Sequence, residues 1–263
     1  MSTATATTAA AAGTLDVSAT PRIPLSRLVR VELRKLTDTR SGKWLMIAIA
    51  IITTLIVGAV FLTAETSDRT FINFMGATAT PQGFLLPVLG ILLVTSEWTQ
   101  RTALVSFTLM PVRGRVLAAK VIAALVAGVL AIVLAMAIAA LATVAGGADQ
   151  AWAHIGLDDV GKFAILQVSG VLQGLAFGLL FLNSAAAIVT YFVLPTAFSI
   201  LANLWKALDK AAPWVDLGTA QQPLFGATHM SGEQWAQLGT GSLIWVVLPF
   251  VVGMVRVLRA EVK

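Results

Sequence analysis

Residues 156–162, Gly156-Leu157-Asp158-Asp159-Val160-Gly161-Lys162, have the G-x-x-x-x-G-K spacing of a phosphate-cradling loop. A working loop needs a strand before it and a Ser or Thr after the lysine to hold magnesium. Here position 163 is Phe, an apolar run follows, and Asp158 and Asp159 would repel a phosphate. Nucleotide hydrolysis is therefore not expected of this chain. The other usual chemistries are also poorly supplied. Cysteine is absent, which excludes disulfides, thiol nucleophiles and thiolate metal sites. The only histidines are His154 and His229, far apart and read as ordinary loop residues. No metal site and no catalytic residue is expected.

The elements behind these residues are set by composition. Of 263 residues 57% are hydrophobic and 12% charged, and the mean hydropathy is +0.86. A soluble domain is about 45–50% apolar and about 25% charged, so a water-facing globule and a disordered chain are both excluded. About 20 apolar residues cross the bilayer core as a helix. Charge-free runs of that length occupy Trp44 to Ala64, Thr70 to Ser96, Val121 to Ala148, Phe163 to Trp205 and Gln234 to Val255. The fourth run has 43 residues, enough for two helices turning near Asn183 and Ser184. The expected fold is all-α with six spans at about 44–63, 74–96, 117–144, 163–182, 185–205 and 239–257. None of the runs has the period of two that a membrane barrel requires. Residues 1–23 read as a disordered Ala/Thr/Ser tail without the basic start of a secretory signal, so no cleavage is expected. Residues 24–263 read as one membrane domain.

Basic residues orient the spans. With the N-terminus inside, 14 of the 18 Lys and Arg residues fall on the cytoplasmic side, in 1–43, 97–120 and the tail from Arg256. Translocating Lys and Arg is disfavoured, so N-in and C-in is expected. Two cytoplasmic segments then stand out. Residues 24–40 have helical spacing, with Leu25, Leu28, Val29 and Leu36 on one stripe and Arg27, Arg30, Arg34 and Asp38 opposite. Such a helix either anchors the first span in the interface or docks a partner. Glu32 lies inside the apolar stripe, which a pure lipid anchor would avoid. Loop 97–116 exceeds the 2–8 residues a simple connector needs. It begins at Glu97, continues through Arg101, Leu104, Phe107 and Leu109, stops at Pro111, and carries Arg113 and Arg115. A short amphipathic helix is expected there.

The order of these motifs resembles the type-2 permease family of ATP-binding-cassette (ABC) transporters. The likeness rests on Glu32-Leu33-Arg34-Lys35-Leu36 before span one and Glu97-Trp98-Thr99-Gln100-Arg101-Thr102 after span two. It extends to Thr108-Leu109-Met110-Pro111-Val112-Arg113, to Lys120 opening span three, and to Trp245, Leu248-Pro249, Gly253, Arg256 and Arg259 at the end. It covers about residues 24–263, and the Ala-rich, Lys-poor style is similar to actinobacterial members. The resemblance implies half of an exporter pore in a bacterial plasma (inner) membrane. A second permease chain would complete the pore as a homodimer or heterodimer. Two copies of a cytoplasmic ATPase would supply ATP and magnesium chemistry. It further implies that 24–40 is a connecting helix and 97–111 a coupling helix, with Glu32, Glu97, Arg101, Thr102 and Arg113 as ATPase-coupling residues.

Within the bilayer, Gly170, Gly174 and Gly178 line one face of span four together with Gln167, and Gln173 is close by. Small residues at this spacing pack helices closely; the alternative is a seam bordering the pathway or the partner permease. Pro87, Pro195 and Pro249 read as static bends. Lys120 and Arg256 fall at the cytoplasmic edge, where they could snorkel, and no ionisable residue is expected deep in a span. Ion-coupled carriers usually keep such a relay, so external driving by ATP and a hydrophobic or amphipathic cargo are expected. For the aromatic-rich segment 206–238 the resemblance implies short helices dipping into the outer leaflet, where they would cap the exit of the pathway. A scaffold or sensor subunit that binds an ATPase without moving cargo stays open as the alternative. Nucleic acid is not expected as a partner.

Overall fold

The computed structural model describes residues 23–100, 102, 104, 108, 112–153, 155–226 and 229–259. The expected tail, Arg101, most of the expected coupling helix and His154 lie outside the described residues. The chain is all-helical: α1 (Leu25–Asp38), α2 (Arg40–Thr63), α3 (Phe71–Thr99), α4 (Arg113–Gly146), α5 (Leu157–Phe181) and α6 (Ser184–Leu204). Three short helices follow, α7 (Lys206–Val215), α8 (Leu217–Gln221) and α9 (Pro223–Gly226). Then α10 (Gly232–Ser242) continues through a wide π-helical turn, Leu243–Val247, into α11 (Leu248–Arg259). Among the described residues, six segments are long and apolar enough to cross a bilayer: 40–63, 71–99, 113–146, 157–181, 184–202 and 232–259. They overlap the six expected spans, and the molecule is a multi-pass membrane protein.

Burial ranks the spans. In their most apolar windows 61% of α3 and 56% of α5 is buried, against 17% of α2 and 11% of α6. The bundle is thus built on the α3–α5 pair, with α2, α4 and the α10–α11 segment around it and α6 at the periphery. Composition explains the choice. The inward face of α4 is almost all small, with Ala119, Ala123, Ala124, Ala127, Ala131, Ala135 and Ala139 buried, while Leu130, Val133, Leu141 and Val144 point outward. Lipid tails are as apolar as leucine, so burying leucine gains little in a bilayer, and close contact between backbones decides the packing.

The joints follow local chemistry. Thr39 ends α1 and caps α2, its hydroxyl accepting from the Gly42 amide at 3.3 Å. The chain can fold back there only because residue 42 has no side chain: a Cβ would lie 2.2 Å from the Leu36 carbonyl oxygen. The α5–α6 turn falls at the expected place. Leu182 takes a left-handed conformation (φ 53°), and the Asn183 side chain accepts from the Ala186 amide at 3.0 Å to start α6. In the last span the Leu248 amide bonds back five residues to Leu243. Pro249 follows immediately; its ring would crowd the carbonyl four residues earlier in a regular helix, and the wider turn relieves that contact.

Candidate functional site

The first site joins three helices at the end of the bundle that bears α1. The apolar stripe of α1 lies against α4 and α2, and Glu32 sits within it, buried. Glu97, in the last turn of α3, and Lys120, in the second turn of α4, are buried beside it. The Lys35 ammonium is 2.6 Å from Glu32 Oε1 and 2.5 Å from Glu97 Oε1. The Lys120 ammonium is 2.7 Å from Glu32 Oε2 and 3.3 Å from Glu97 Oε2, and it donates to the Leu93 carbonyl at 3.2 Å. Two carboxylates and two ammoniums therefore alternate in a closed, neutral ring. Burial alone would lower the pKa of Lys35, but the Glu32 and Glu97 carboxylates outweigh it and raise the value above 10.5.

This ring corrects one expectation. Lys120 does not snorkel; it is 3% exposed, because two carboxylates and a carbonyl surround its ammonium more closely than interfacial water could. Arg256 does reach a polar partner, donating to the Leu180 carbonyl. The other residues assigned to coupling by resemblance are placed differently from Glu32 and Glu97. Arg113 donates to the carbonyls of Val257 and Leu258 at 3.1 and 3.3 Å, capping the C-terminal end of α11. Thr102 is exposed, and its amide and hydroxyl both turn back to the Glu97 carbonyl. The structure thus brings Glu32 and Glu97 together, adds Lys35 and Lys120 to them, and leaves Arg113 at a separate contact.

The second feature is the α3–α5 seam. A Cβ on Gly174 would fall 2.0 Å from the Pro87 carbonyl oxygen. One on Gly178 would lie 3.2 Å from Ile91, and one on Gly170 would lie 3.4 Å from the Pro87 ring. The contact is reciprocal, since a Cβ on Gly90 would meet the Val171 carbonyl at 2.5 Å. Gln167 donates to Gln82 Oε1 at 2.6 Å, and Gln82 donates to the Ala131 carbonyl at 2.8 Å, so one buried chain of bonds ties α5 to α3 and α4. Gln82 was legible only as the partner that a buried Gln167 must have; its own position in the second span carries no separate signal.

Beyond this chain of bonds, α3, α5 and α6 line a half-open cavity of about 410 Å³, bordered by α8 and α9. Gln167, Gly170 and Gln173 line one wall, Phe84, Tyr191 and Phe192 another, and Asp216 and Phe225 the bordering segment. Tyr191 and Phe192 meet edge to face at 4.9 Å, and Phe192 stacks on Phe84 at 5.8 Å. His229 is exposed, away from this lining.

The segment with phosphate-loop spacing is the start of α5. The Gly156 amide donates to Asp159 Oδ2 at 3.0 Å, and the Lys162 ammonium lies 2.6 Å from Asp158 and 3.8 Å from Asp159. Its glycine and aspartates thus begin a helix and neutralise its own lysine. No family model and no curated protein matches this chain.

Proposed function

We propose that this chain is the membrane permease subunit of an ABC-type exporter, inserted with both termini in the cytoplasm of a bacterial plasma membrane and driven by a separate ATPase. The buried ring of Glu32, Lys35, Glu97 and Lys120 carries this reading. A helix that merely floated in the interface would keep its charges in water. In contrast, α1 is bonded through buried ions to the last turn of α3 and the second turn of α4. A push on α1, or on the segment between α3 and α4, is therefore delivered to two spans at once. One of them, α3, is locked along its length to α5 and forms a wall of the cavity. Rigid-body tilting of packed helices is an established way to convert such a push into alternating access.

In this reading ATP and magnesium are bound by two ATPase subunits, and a second permease chain, identical or related, completes the pathway. The exposed apolar faces of α2 and α6 support a neighbour or lipid there. Reconstituted in vesicles with an ATPase identified by co-purification, the chain should stimulate ATP hydrolysis and support ATP-dependent movement of a fluorescent amphiphile. Stimulation without movement would leave a scaffold subunit. Uphill movement by the chain alone, with no ATPase present, would overturn the proposal.

A further inference from the structure

The cavity between α3, α5 and α6 contains polar groups with unused bonding capacity. Asp216 is 5% exposed. Its Oδ2 accepts from the Thr219 amide at 2.9 Å and the Thr219 hydroxyl at 2.7 Å, capping α8. Among the described residues its Oδ1 has no hydrogen bond, and no Lys, Arg or His comes within ion-pair distance of the carboxylate. Gln173 is 7% exposed, and its amide has no hydrogen bond among the described residues. Neither group is sealed off: both face the half-open pocket, where a polar or charged guest can reach them. Both groups line the same space, whose wall also carries five aromatic rings, Phe84, Tyr191, Phe192, Phe225 and Trp245, among aliphatic and polar residues. The Trp245 N–H is already given to the Val215 carbonyl at 2.6 Å, so this residue offers only ring surface.

We infer that this cavity binds an organic cation, a tertiary or quaternary onium group carrying an apolar body. Asp216 supplies the counter-charge, the aromatic faces attract a diffuse cation through their quadrupoles, and Gln173 accepts or donates as the ligand requires. An anionic ligand would face Asp216 with no cation to offset it. A simple acyl chain would leave the Asp216 carboxylate without a counter-charge. The volume, about 410 Å³, falls within the range of small-molecule sites. The binding site stands on this geometry alone; its role as the cargo site rests on the permease reading.

The test uses a pair of ions of the same shape and opposite charge, tetraphenylphosphonium and tetraphenylborate, in equilibrium dialysis against the purified full chain in detergent without any ATPase. Saturable binding of tetraphenylphosphonium is expected, with no competition by tetraphenylborate. Asp216→Asn keeps the shape and the capping oxygen, and should weaken phosphonium binding about tenfold or more, the loss expected when the counter-charge of a desolvated cation is removed. Gly83 lines the cavity and has open space where a Cβ would be, so Gly83→Trp should fold and also reduce binding severalfold. Equal binding of both ions, or undiminished phosphonium binding in Asp216→Asn, would overturn the inference. If Asp216→Asn does not fold, undiminished binding in Gly83→Trp overturns it instead. Because no ATPase is present, failure here refutes the cation site and leaves the permease proposal to its vesicle assay.

Discussion

At the α1 end of the bundle, three buried ionisable side chains and the half-exposed Lys35, from three helices, each find a partner of opposite charge within 3.3 Å. At the cavity, Asp216 and Gln173 are almost as deeply buried, yet Oδ1 of the one and the amide of the other have no protein partner among the described residues. Burial is similar in the two regions, and satisfaction differs. A closed ring of charges transmits position, because no member can move without exposing another. An open set of polar groups receives something, because its bonding capacity is kept for a guest.

The largest effect should come from opening the ring. Lys120→Met would leave Glu32 and Glu97 together with only the half-exposed Lys35 between them, and breaking a buried pair in this way costs about 3–5 kcal/mol. Thermal unfolding in detergent should show a large loss, with Lys35→Met losing distinctly less. Equal losses would mean that the ring does not distinguish its buried and half-exposed members.

The seam comes next. Gly174→Ala puts a methyl group 2.0 Å from a backbone oxygen, and overpacking of that kind costs about 1–3 kcal/mol. Gly170→Ala, at ordinary contact distance, should be nearly neutral in the same assay. Smaller again is Gln167→Leu, which strands Gln82; interhelical bonds of this type are worth about 0.6–2 kcal/mol. The double variant with Gln82→Leu should lose less than the sum of the two single changes.

The smallest effect is in the pH dependence of the ring. The pKa of Lys35 is raised on folding, so its contribution is fully present below its ordinary value of 10.5 and is lost only as pH rises through the raised value. Thermal stability attributable to Lys35, measured as wild type against Lys35→Met, should be flat from pH 7 to 9. A decline within that window would break the assignment.

The spans were readable from the gaps between charges because a bilayer tolerates few unpaired ions. In the fourth span a charge sets the expected limit, and the helix runs past it. The fourth span starts at Leu157, before Lys162, because Asp158 and Asp159 neutralise that lysine within the helix itself. Lys120 departs from the expected edge position for the opposite reason: its partners lie 88 and 23 positions away in the chain, and no local pattern announces them. Glu32 was legible as an oddity, a carboxylate on an apolar stripe, but only the folded bundle shows what it meets. The cavity could be anticipated only as an aromatic-rich segment between spans five and six. Its walls belong to α3, α5 and α6, and sequence order does not reveal which faces of those helices converge.

The π-helical turn at Leu243–Val247 has a further consequence for the last span. One additional residue in a single coil rotates all that follows by about 100° on the helical wheel. Gly253 is the residue brought into tight apposition with Leu179, where a Cβ would stand 2.6 Å from the Leu179 Cβ. The wide coil therefore acts as a phase setting. Removing one residue from it would keep the span's length and hydrophobicity nearly unchanged, yet would turn the glycine away and present a bulkier neighbour to α5, separating two helices that hydropathy alone would still describe as identical.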